Sequence, residues 1–253
     1  MDVKGKHAVI TGGGRGIGSA IADSLNAAGA KVTLMGRTMA PLEAKAMTLQ
    51  EGFSVQCDVT DEDSVAAAFA KAVAQFGPVD ILVNNAGAAI SLPFKKVDLA
   101  QLQDMLAVNL IGPFLCIQAV LPALIDQGAG RIITIASTAA LKGYSYVTAY
   151  SAAKHGVLGL TRSLALEVAG SGVTVNALCP GFTETDIARN AIKNIMAKTG
   201  RSEEEAIGEL VAHNPQKRLI QPEEVAASVL WLCTDNAASV TGQAIAIAGG
   251  EVM

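Results

Sequence analysis

Short apolar runs of strand length recur along this chain, separated by stretches with helical character. Hydrophobic residues make up 51% of the chain but aromatic residues only 4%, so the interior must be built from Ala, Val, Leu and Ile. Such an interior suits strands that are buried on both faces between helices. The predicted strands are residues 7–11, 31–35, 53–57, 79–83, 131–136, 173–178 and 244–247.

Strands that alternate with helices in one continuous series predict an α/β fold with a parallel sheet. Without internal repeats or Pro/Ser-rich linkers, we expect a single doubly wound Rossmann-type domain over residues 1–253, with about seven strands and helices on both faces. The first helix is expected over residues 16–28 and ended by Gly29, and Asp61 is expected to open a later one. Ligands of such folds bind beyond the carboxyl ends of the strands.

A glycine-rich loop, T-G-G-G-R-G-I-G at residues 11–18, joins the first predicted strand to the first helix. Backbone N–H groups and a helix N-terminus in this position face an approaching anion, and a pyrophosphate is the obvious candidate. Gly12, Gly16 and Gly18 are spaced G-x-x-x-G-x-G rather than G-x-G-x-x-G. Because a tight turn also needs glycines, the loop alone leaves both interpretations open.

The residues after the second predicted strand indicate which dinucleotide the loop would bind. Folds that bind NAD place an acidic residue there to accept from the ribose 2′-OH, but no acidic residue lies between Ser24 and Leu42. Instead Arg37 follows the strand, and Arg15 lies inside the glycine loop. Guanidinium groups pair well with a 2′-phosphate, so we predict NADP(H). The alternative is that both arginines are solvated surface residues.

Three polar side chains are expected to converge at the carboxyl edge of the sheet. Tyr150 and Lys154 are four residues apart and therefore share one face of a helix, and Ser137 directly follows a predicted strand. Ketone reduction needs a hydride, which a nicotinamide cofactor supplies, and a proton, which the protein must supply. We expect Tyr150 to donate the proton, Ser137 to bond the carbonyl oxygen, and Lys154 to lower the Tyr150 pKa and hold the ribose.

Each of these residues also has a structural interpretation. A Tyr and a Lys at helical spacing occur together by chance, Ser137 would serve equally as a helix cap, and Asn109 would satisfy buried backbone groups. The alternative function is a catalytically silent dinucleotide-binding protein used for sensing or assembly. Such a protein is expected to have lost one catalytic group, whereas Ser137, Tyr150 and Lys154 are all present.

The chain resembles the short-chain dehydrogenase/reductase family over essentially its whole length. The resemblance is carried by T-G-x-x-x-G-x-G at 11–18, N-N-A-G at 84–87, Asn at 109, Ser at 137, Y-x-x-x-K at 150–154 and P-G at 180–181. These motifs stand in order and in register with the predicted strands, which makes the set specific. The resemblance implies an NADP-dependent oxidoreductase that reduces a ketone to a secondary alcohol, or catalyses the reverse oxidation.

The resemblance also implies roles for individual residues. It makes Asn109 the holder of a water that connects Lys154 to solvent, and it places Asp58 against the adenine ring. The catalytic residues that it implies are Asn109, Ser137, Tyr150 and Lys154. The cofactor-binding residues that it implies are Gly12, Arg15, Gly16, Ile17, Gly18, Arg37, Thr38, Asp58, Val59, Asn85, Ala86, Gly87, Tyr150, Lys154, Pro180 and Gly181. The three histidines are too separated in sequence to predict a metal site.

Substrate preference is expected to come from loops at the same edge, residues 88–94, 139–147 and 182–218, the last being the predicted lid. Ile187, Ile192, Ile195 and Met196 are expected to form one apolar helix face of the lid, and Ser202 to start its second helix. An apolar lid favours a substrate with a hydrophobic body. The whole-chain pattern is similar to reductases of 3-oxoacyl thioesters and also to reductases of free ketones.

Lys217 and Arg218 close the predicted lid and would either meet the phosphates of a thioester carrier or form a solvated pair. The net charge of −4, with scattered basic residues, excludes a nucleic-acid partner. Four well-separated cysteines predict reduced, buried thiols.

The N-terminus reaches glycines before any apolar stretch could act as a signal sequence, so a cytoplasmic protein is expected. The uncharged span between Asp104 and Asp126 is nearly long enough to cross a bilayer, but it contains Asn109 and Pro113 and lacks basic flanks. We expect no membrane partner. The family resemblance implies a homotetramer, and this span, with Gly156 and Gly159 on the next helix, would supply helix faces buried between subunits. A helix buried within one chain would look the same.

Overall fold

The computed structural model describes residues 2–252, and its strands form one parallel sheet. The strands are β1 (His7–Thr11), β2 (Lys31–Gly36), β3 (Gly52–Gln56), β4 (Ile81–Asn84), β5 (Gly130–Ile135), β6 (Val173–Pro180) and β7 (Ala244–Ile247). Their spatial order is β3-β2-β1-β4-β5-β6-β7. The predicted doubly wound sheet is confirmed. The strand order reverses between β1 and β4, and a ligand crevice is expected at the carboxyl edge there.

Helices connect the strands and cover both faces of the sheet. They are α1 (Gly16–Ala27), α2 (Met39–Ala46), α3 (Glu62–Phe76), α4 (Leu99–Leu106), α5 (Gly112–Asp126), α6 (Thr148–Glu167), α7 (Asp186–Thr199), α8 (Glu203–Leu210) and α9 (Pro222–Cys233). Two predicted helix boundaries are confirmed: Gly29 follows α1 with a φ of +87°, and Asp61 caps α3 by accepting from the Ser64 N–H.

The strand boundaries agree with the sequence prediction to within one or two residues. The first and last strands match it, whereas β6 runs on to Pro180, because its ladder with β7 continues through the pair Pro180 and Ile247. At the other end, β4 begins at Ile81, where its pairing with β1 begins. Pairing partners therefore set the ends that an apolar run alone leaves open.

The core has two layers because neighbouring residues of a strand point to opposite faces of the sheet. Ile10 belongs to a cluster that includes Leu25 of α1 and Val229 of α9. Val9 belongs to the cluster on the other face, with Val120 of α5. The buried strands thus carry apolar residues on both faces, as the low aromatic content and absence of polar alternation predict.

The helix from Leu99 to Asp126 is continuous and, by length and composition alone, would suffice to cross a membrane. Cys116, Val120 and Leu124 on one of its faces are buried in the core. A π-helical turn, Ala107–Ile111, joins its two α-helical parts and contains the fully buried Asn109. Such turns are common at functional sites.

The predicted lid contains α7 and α8, and its base is closed by a parallel bridge between Thr183 and Ile220. Ser202 and Glu205 form the predicted capping box of α8. Of the residues predicted to form an apolar face of α7, Ile187 is exposed, Ile192 is buried, and Ile195 and Met196 are partly buried. Ala188, one turn before Ile192, is also buried. All four cysteines are free and buried, as expected.

Candidate active site

The glycine loop leaves the first turn of α1 open to an anion. No side chain caps this turn and no acidic residue lies in it, whereas Asp61, Asp98 and Ser202 cap α3, α4 and α8. Gly12 and Gly16 have φ values of +65° and +53°, which favour glycine. The loop therefore presents backbone N–H groups at a helix N-terminus, which suits a pyrophosphate.

Hydrogen bonds tie the glycine loop to the segment after β4. The Thr11 hydroxyl accepts from the N–H groups of Asn85 and Ala86, both at 3.0 Å. The Asn85 side-chain amide donates to the carbonyls of Thr11, at 3.0 Å, and Gly12, at 3.1 Å. Asn85 and Ala86 were predicted site residues, and the structure places them against the loop. Thr11 was quoted only as part of the motif, and its two bonds make it a site residue that the prediction missed.

Arg37 and Asp58 lie together at the ends of β2 and β3. Both line a cavity of about 350 Å³, with Gln56 and Lys71 among the other lining residues. The Asp58 carboxylate accepts from the backbone N–H of Thr60, at 3.0 Å, and from its hydroxyl, at 2.7 Å. These bonds, with a smaller contribution from Arg37, lower the pKa of Asp58, so the cavity holds a guanidinium beside an ionised carboxylate.

Arg15 points elsewhere. Its guanidinium lies 3.6 Å from the carboxylate of Asp186, the first residue of α7, and the cavity lined by Arg37 is not lined by Arg15. Thr185, which precedes α7, approaches the same loop, since a Cβ added to Gly16 would lie 3.2 Å from its methyl carbon. Thr185 was not predicted. The signal that could have indicated it is a hydroxyl residue at a helix start soon after a strand end.

Other predicted cofactor residues lie at the same edge of the sheet. The Val59 side chain packs on Gly112, where an added Cβ would lie 2.8 Å from it, and Ile17 packs against the core. Thr38 precedes α2 without a side-chain cap bond. The Gly181 N–H donates to the carbonyl of Ile247 at 3.0 Å, which continues the β6 ladder beyond Pro180.

Tyr150 and Lys154 lie on one face of α6, as their spacing predicts. The Lys154 ammonium is 5.7 Å from the centre of the Tyr150 ring and donates to the carbonyl of Ile135, at the end of β5, at 2.9 Å. Burial lowers the pKa of Lys154 to about 8, so the side chain still carries its charge at neutral pH. A cation is thus held beside a phenol at the carboxyl edge of the sheet.

Ser137 bonds in two directions from the end of β5. Its hydroxyl oxygen accepts from the N–H of Ala139 at 3.1 Å, which is the helix-cap role considered above. A hydrogen bond between Ser137 and Tyr150 lowers the pKa of the phenol, but burial has the larger effect and raises it. The lowering of the Tyr150 pKa that we expected is therefore not found in the protein alone, because desolvation opposes the charged form.

Asn109 has an unpaired acceptor facing a space that only glycine leaves open. Its amide nitrogen donates to the carbonyls of Ala88, at 2.9 Å, and Met105, at 3.0 Å. Its Oδ1 is buried and has no hydrogen-bond partner among residues 2–252. A Cβ added to Gly87 would lie 2.9 Å from that oxygen and 3.8 Å from the Lys154 nitrogen. The structure thus brings Asn109, Gly87 and Lys154 together.

Asn84, the first residue of the N-N-A-G motif, is also buried, and within the described part of the chain neither polar atom of its side-chain amide has a hydrogen-bond partner. It was not among the predicted site residues. An amide at the end of an otherwise apolar strand was the available signal.

Comparison with known proteins places this geometry in context. A family model described as short chain dehydrogenase matches residues 6–195. The chain is 40% identical over 253 residues to D-beta-hydroxybutyrate dehydrogenase of Rhizobium meliloti (strain 1021), covering 97% of this chain and 98% of the relative. It is 38% identical over 256 residues to a 3-oxoacyl-acyl-carrier-protein reductase of Escherichia coli (strain K12), covering 100% of both. Among solved structures, it resembles a variant of actinorhodin polyketide ketoreductase crystallised with NADPH, at a TM-score of 0.93 and 37% identity over 97% of each chain.

Proposed function

Because this chain belongs to the short-chain dehydrogenase/reductase family, we propose that it reduces a ketone to a secondary alcohol, or oxidises the alcohol in the reverse direction, with NADP(H). The observation that carries the proposal is the convergence of Ser137, Tyr150 and Lys154 at the carboxyl edge of the sheet. The oxoacyl reductase and the NADPH-bound ketoreductase among its similar proteins support it.

The residues at this edge fit a dinucleotide phosphate. The uncapped first turn of α1 would hold the pyrophosphate, and Arg37 the 2′-phosphate, with Asp58 beside the adenine. Since Arg15 pairs with Asp186, the structure supports Arg37 more strongly as the residue that selects NADP. When bound, NADPH supplies the hydride.

Tyr150 would supply the proton. Its raised pKa keeps the phenol protonated at neutral pH, ready to donate to the oxygen of the ketone. The Ser137 hydroxyl has one proton, which would turn from Tyr150 to that oxygen when the ketone binds. The Lys154 ammonium, 5.7 Å from the Tyr150 ring centre, would stabilise the phenolate that remains after transfer.

We also propose a relay that returns a proton to Tyr150. The Asn109 Oδ1 needs a donor, and the space beside Gly87 separates it from the Lys154 ammonium. A water in that space would accept from Lys154 and donate to Asn109, joining the lysine to solvent.

For the substrate we propose a 3-oxoacyl thioester or a similar hydrophobic ketone, held by residues 182–218 as a lid on a single dinucleotide-binding and catalytic domain. The relatives' substrates and the buried Ala188 and Ile192 of α7 support this proposal. The two basic side chains at the base of the lid are already hydrogen-bonded within the chain, which disfavours them as ligands of a carrier phosphate. Arg218 donates two hydrogen bonds to the carboxylate of Glu224, at 2.6 and 2.7 Å, and Lys217 donates to the carbonyl of Ala212.

We further infer a homotetramer in the cytoplasm. The four free, buried cysteines favour a reducing compartment. Helix α5 and the turn before it expose an uncharged stripe at helical spacing, which suits a subunit interface. The stripe comprises Ile111, Phe114, Gln118, Ala119, Pro122 and Ile125.

The test is a substrate panel in which cofactor absorbance is followed with NADPH and with NADH. The panel contains acetoacetyl-CoA, a longer 3-oxoacyl thioester and simple ketones. We expect the parent protein to oxidise NADPH faster than NADH. The preference for NADPH over NADH should be smaller in Arg37→Ala than in Arg15→Ala. If NADH serves at least as well as NADPH, the NADP assignment is wrong. Tight NADPH binding without turnover on any ketone would favour the sensing or assembly protein.

A further inference from the structure

The turn after β7 carries a carboxylate to the substrate side of the catalytic edge. The Glu251 side chain is only 3% exposed. Its Oε1 accepts from the Tyr144 hydroxyl at 2.5 Å and lies 3.2 Å from the Lys142 ammonium. Its Oε2 lies 3.4 Å from where a Cβ on Gly181 would be. The carboxylate thus stands between the loops that follow β5 and β6.

The bonds of Glu251 lead back to the catalytic serine. Because Tyr144 has one hydroxyl proton, which it donates to the carboxylate, its oxygen accepts from the Thr138 hydroxyl 2.8 Å away. Thr138 follows Ser137 directly in the chain. Lys142 bonds the same carboxylate and lies 4.8 Å over the Tyr144 ring. One buried anion therefore fixes three side chains of residues 138–144.

The same turn rests on the base of the predicted lid. Gly249 and Gly250 have φ values of +59° and +88°. A Cβ on Gly249 would collide with the Asn214 amide, and one on Gly250 would lie 3.2 Å from the Pro215 ring. The Asn214 amide in turn donates to the carbonyl of Arg218 at 2.9 Å. The C-terminal turn is therefore fitted to Asn214 and Pro215 at the base of the lid, and its position sets that of Glu251.

The loop that Glu251 holds contains a conformation that needs external support. Tyr146 has a φ of +69°, which is unfavourable for a residue with a side chain, and its carbonyl accepts from the Leu92 N–H at 2.7 Å. Strain of this kind persists where the surrounding structure holds it in place, and it is concentrated at functional sites.

We propose that Glu251 is a positioning residue for the reduction: through Tyr144 and Thr138 its carboxylate fixes the loop that carries Ser137 and links that loop to the base of the lid. The proposal rests on the proposed function, since it assigns Ser137 to the ketone oxygen. Loss of the carboxylate frees Tyr144 and Lys142, so Ser137 no longer has a single position relative to Tyr150. The expected consequence is slower turnover with undisturbed cofactor binding.

The test compares Glu251→Ala, Glu251→Gln, Tyr144→Phe and the double variant Tyr144→Phe/Glu251→Ala. With acetoacetyl-CoA and NADPH, we expect Glu251→Ala and Tyr144→Phe each to lower kcat about tenfold or more, and the double variant to be no worse than either single one. The Gln side chain keeps an acceptor for Tyr144, so Glu251→Gln should recover most of the activity. NADPH dissociation constants, measured by fluorescence titration, should stay within about twofold of the parent protein.

Hydrogen exchange gives a readout that needs no turnover. Amides of residues 138–147 should exchange faster in Glu251→Ala than in the parent, while the strands remain protected. Glu223→Gln, which removes an exposed carboxylate from the start of α9, is the matched control and should leave exchange and kcat unchanged. A parent protein that binds NADPH but reduces no ketone contradicts the proposed function, and the exchange comparison then still decides whether Glu251 holds the loop. The positioning role would be overturned by unchanged exchange of residues 138–147 in Glu251→Ala. It would also be overturned if the kcat losses of the two single variants multiply in the double variant, or if NADPH binding falls in parallel with kcat.

Discussion

At the scale of single residues, the site depends on a lysine charge kept out of water. Lys154 is 5% exposed, and burial lowers its pKa from 10.5 to about 8. Between these two pH values the unfolded chain binds more protons than the folded one, so this group makes the free energy of unfolding rise with pH. Below pH 8 both states are protonated, and the full penalty of burying the charge is present. Raising the pH from about 8 to 10.5 therefore increases the free energy of unfolding through this group.

We predict that Lys154→Met makes the protein more stable at pH 7, by up to about 3 kcal/mol, because the variant buries no charge. The gain should shrink as pH rises from 8 towards 10.5, the interval in which Lys154 of the folded parent has lost its proton while the lysine of the unfolded chain still holds it. Urea unfolding of both proteins at several pH values measures the difference. Lys71→Met, which changes an exposed lysine, is the control. A stability difference that does not vary with pH would show that the charge of Lys154 is not its source.

Tyr150, the proposed proton donor, gives a second prediction at this scale. Tyr150→Phe removes the hydroxyl that is proposed to transfer its proton to the ketone oxygen, so we expect kcat to fall at least about a hundredfold. The ring that packs beside Lys154 remains, and NADPH should bind as tightly as before. Steady-state kinetics and a fluorescence titration measure the two effects. Comparable activity of the variant would remove Tyr150 from the proton-transfer step.

At the scale of elements, the start of α1 is fitted to the segment after β4. A Cβ on Gly18 would collide with the carbonyl of Gly12 and lie 2.5 Å from the amide nitrogen of Asn85, which itself bonds that carbonyl. Neither neighbour can yield without breaking the bonds between loop and strand. The glycine is required by close packing here, because its backbone is helical and needs no unusual φ.

We therefore expect Gly18→Ala to destabilise the protein by about 1–3 kcal/mol and to weaken NADPH binding together with stability. Gly208→Ala is the matched control: apart from the backbone of α8, no described atom lies within 4 Å of its added methyl group, and within this helix alanine should stabilise by up to about 1 kcal/mol. Denaturant unfolding and cofactor titration report both quantities. If Gly18→Ala leaves the stability and NADPH binding of the protein unchanged, the glycine loop and the segment after β4 can separate freely.

At the scale of the whole molecule, an apolar helix face lies on the surface. Ile111 and Phe114 are 46% and 42% exposed and lie one turn apart. They belong to the helix that is long and apolar enough, by length and composition alone, to cross a membrane. The two glycines proposed to serve a subunit interface differ. An added Cβ on Gly156 would lie 2.9 Å from Leu110, so this glycine serves packing within the chain. A Cβ added to Gly159 would have no neighbour within 4 Å among residues 2–252 apart from the backbone of its own helix.

We predict that the double variant Ile111→Glu/Phe114→Glu dissociates into smaller species, because buried like charges would face each other across a symmetric interface. Light scattering coupled to size exclusion measures the mass. Met47→Glu changes a residue that is 87% exposed outside this face and should leave the mass unchanged. A parent protein that is itself monomeric would contradict the tetramer proposal.

The sequence by itself determined the features whose signals are local. Apolar runs located the strands, although their ends depend on pairing, as the extension of β6 to Pro180 illustrates. The glycine loop located the uncapped first turn of α1, and a four-residue spacing on one helix brought Tyr150 and Lys154 together. Such signals are readable because periodicity and chain geometry act over a few residues.

Only the tertiary structure decided what depends on residues distant in the chain. It buried Tyr150 and so raised its pKa, left Asn109 Oδ1 unpaired beside Gly87, and paired Arg15 with Asp186. It also brought Glu251 to Tyr144, across 107 positions of sequence. The physical reason is that desolvation and hydrogen-bond partners are set by every element packed around a group, and these elements meet only when the sheet is assembled.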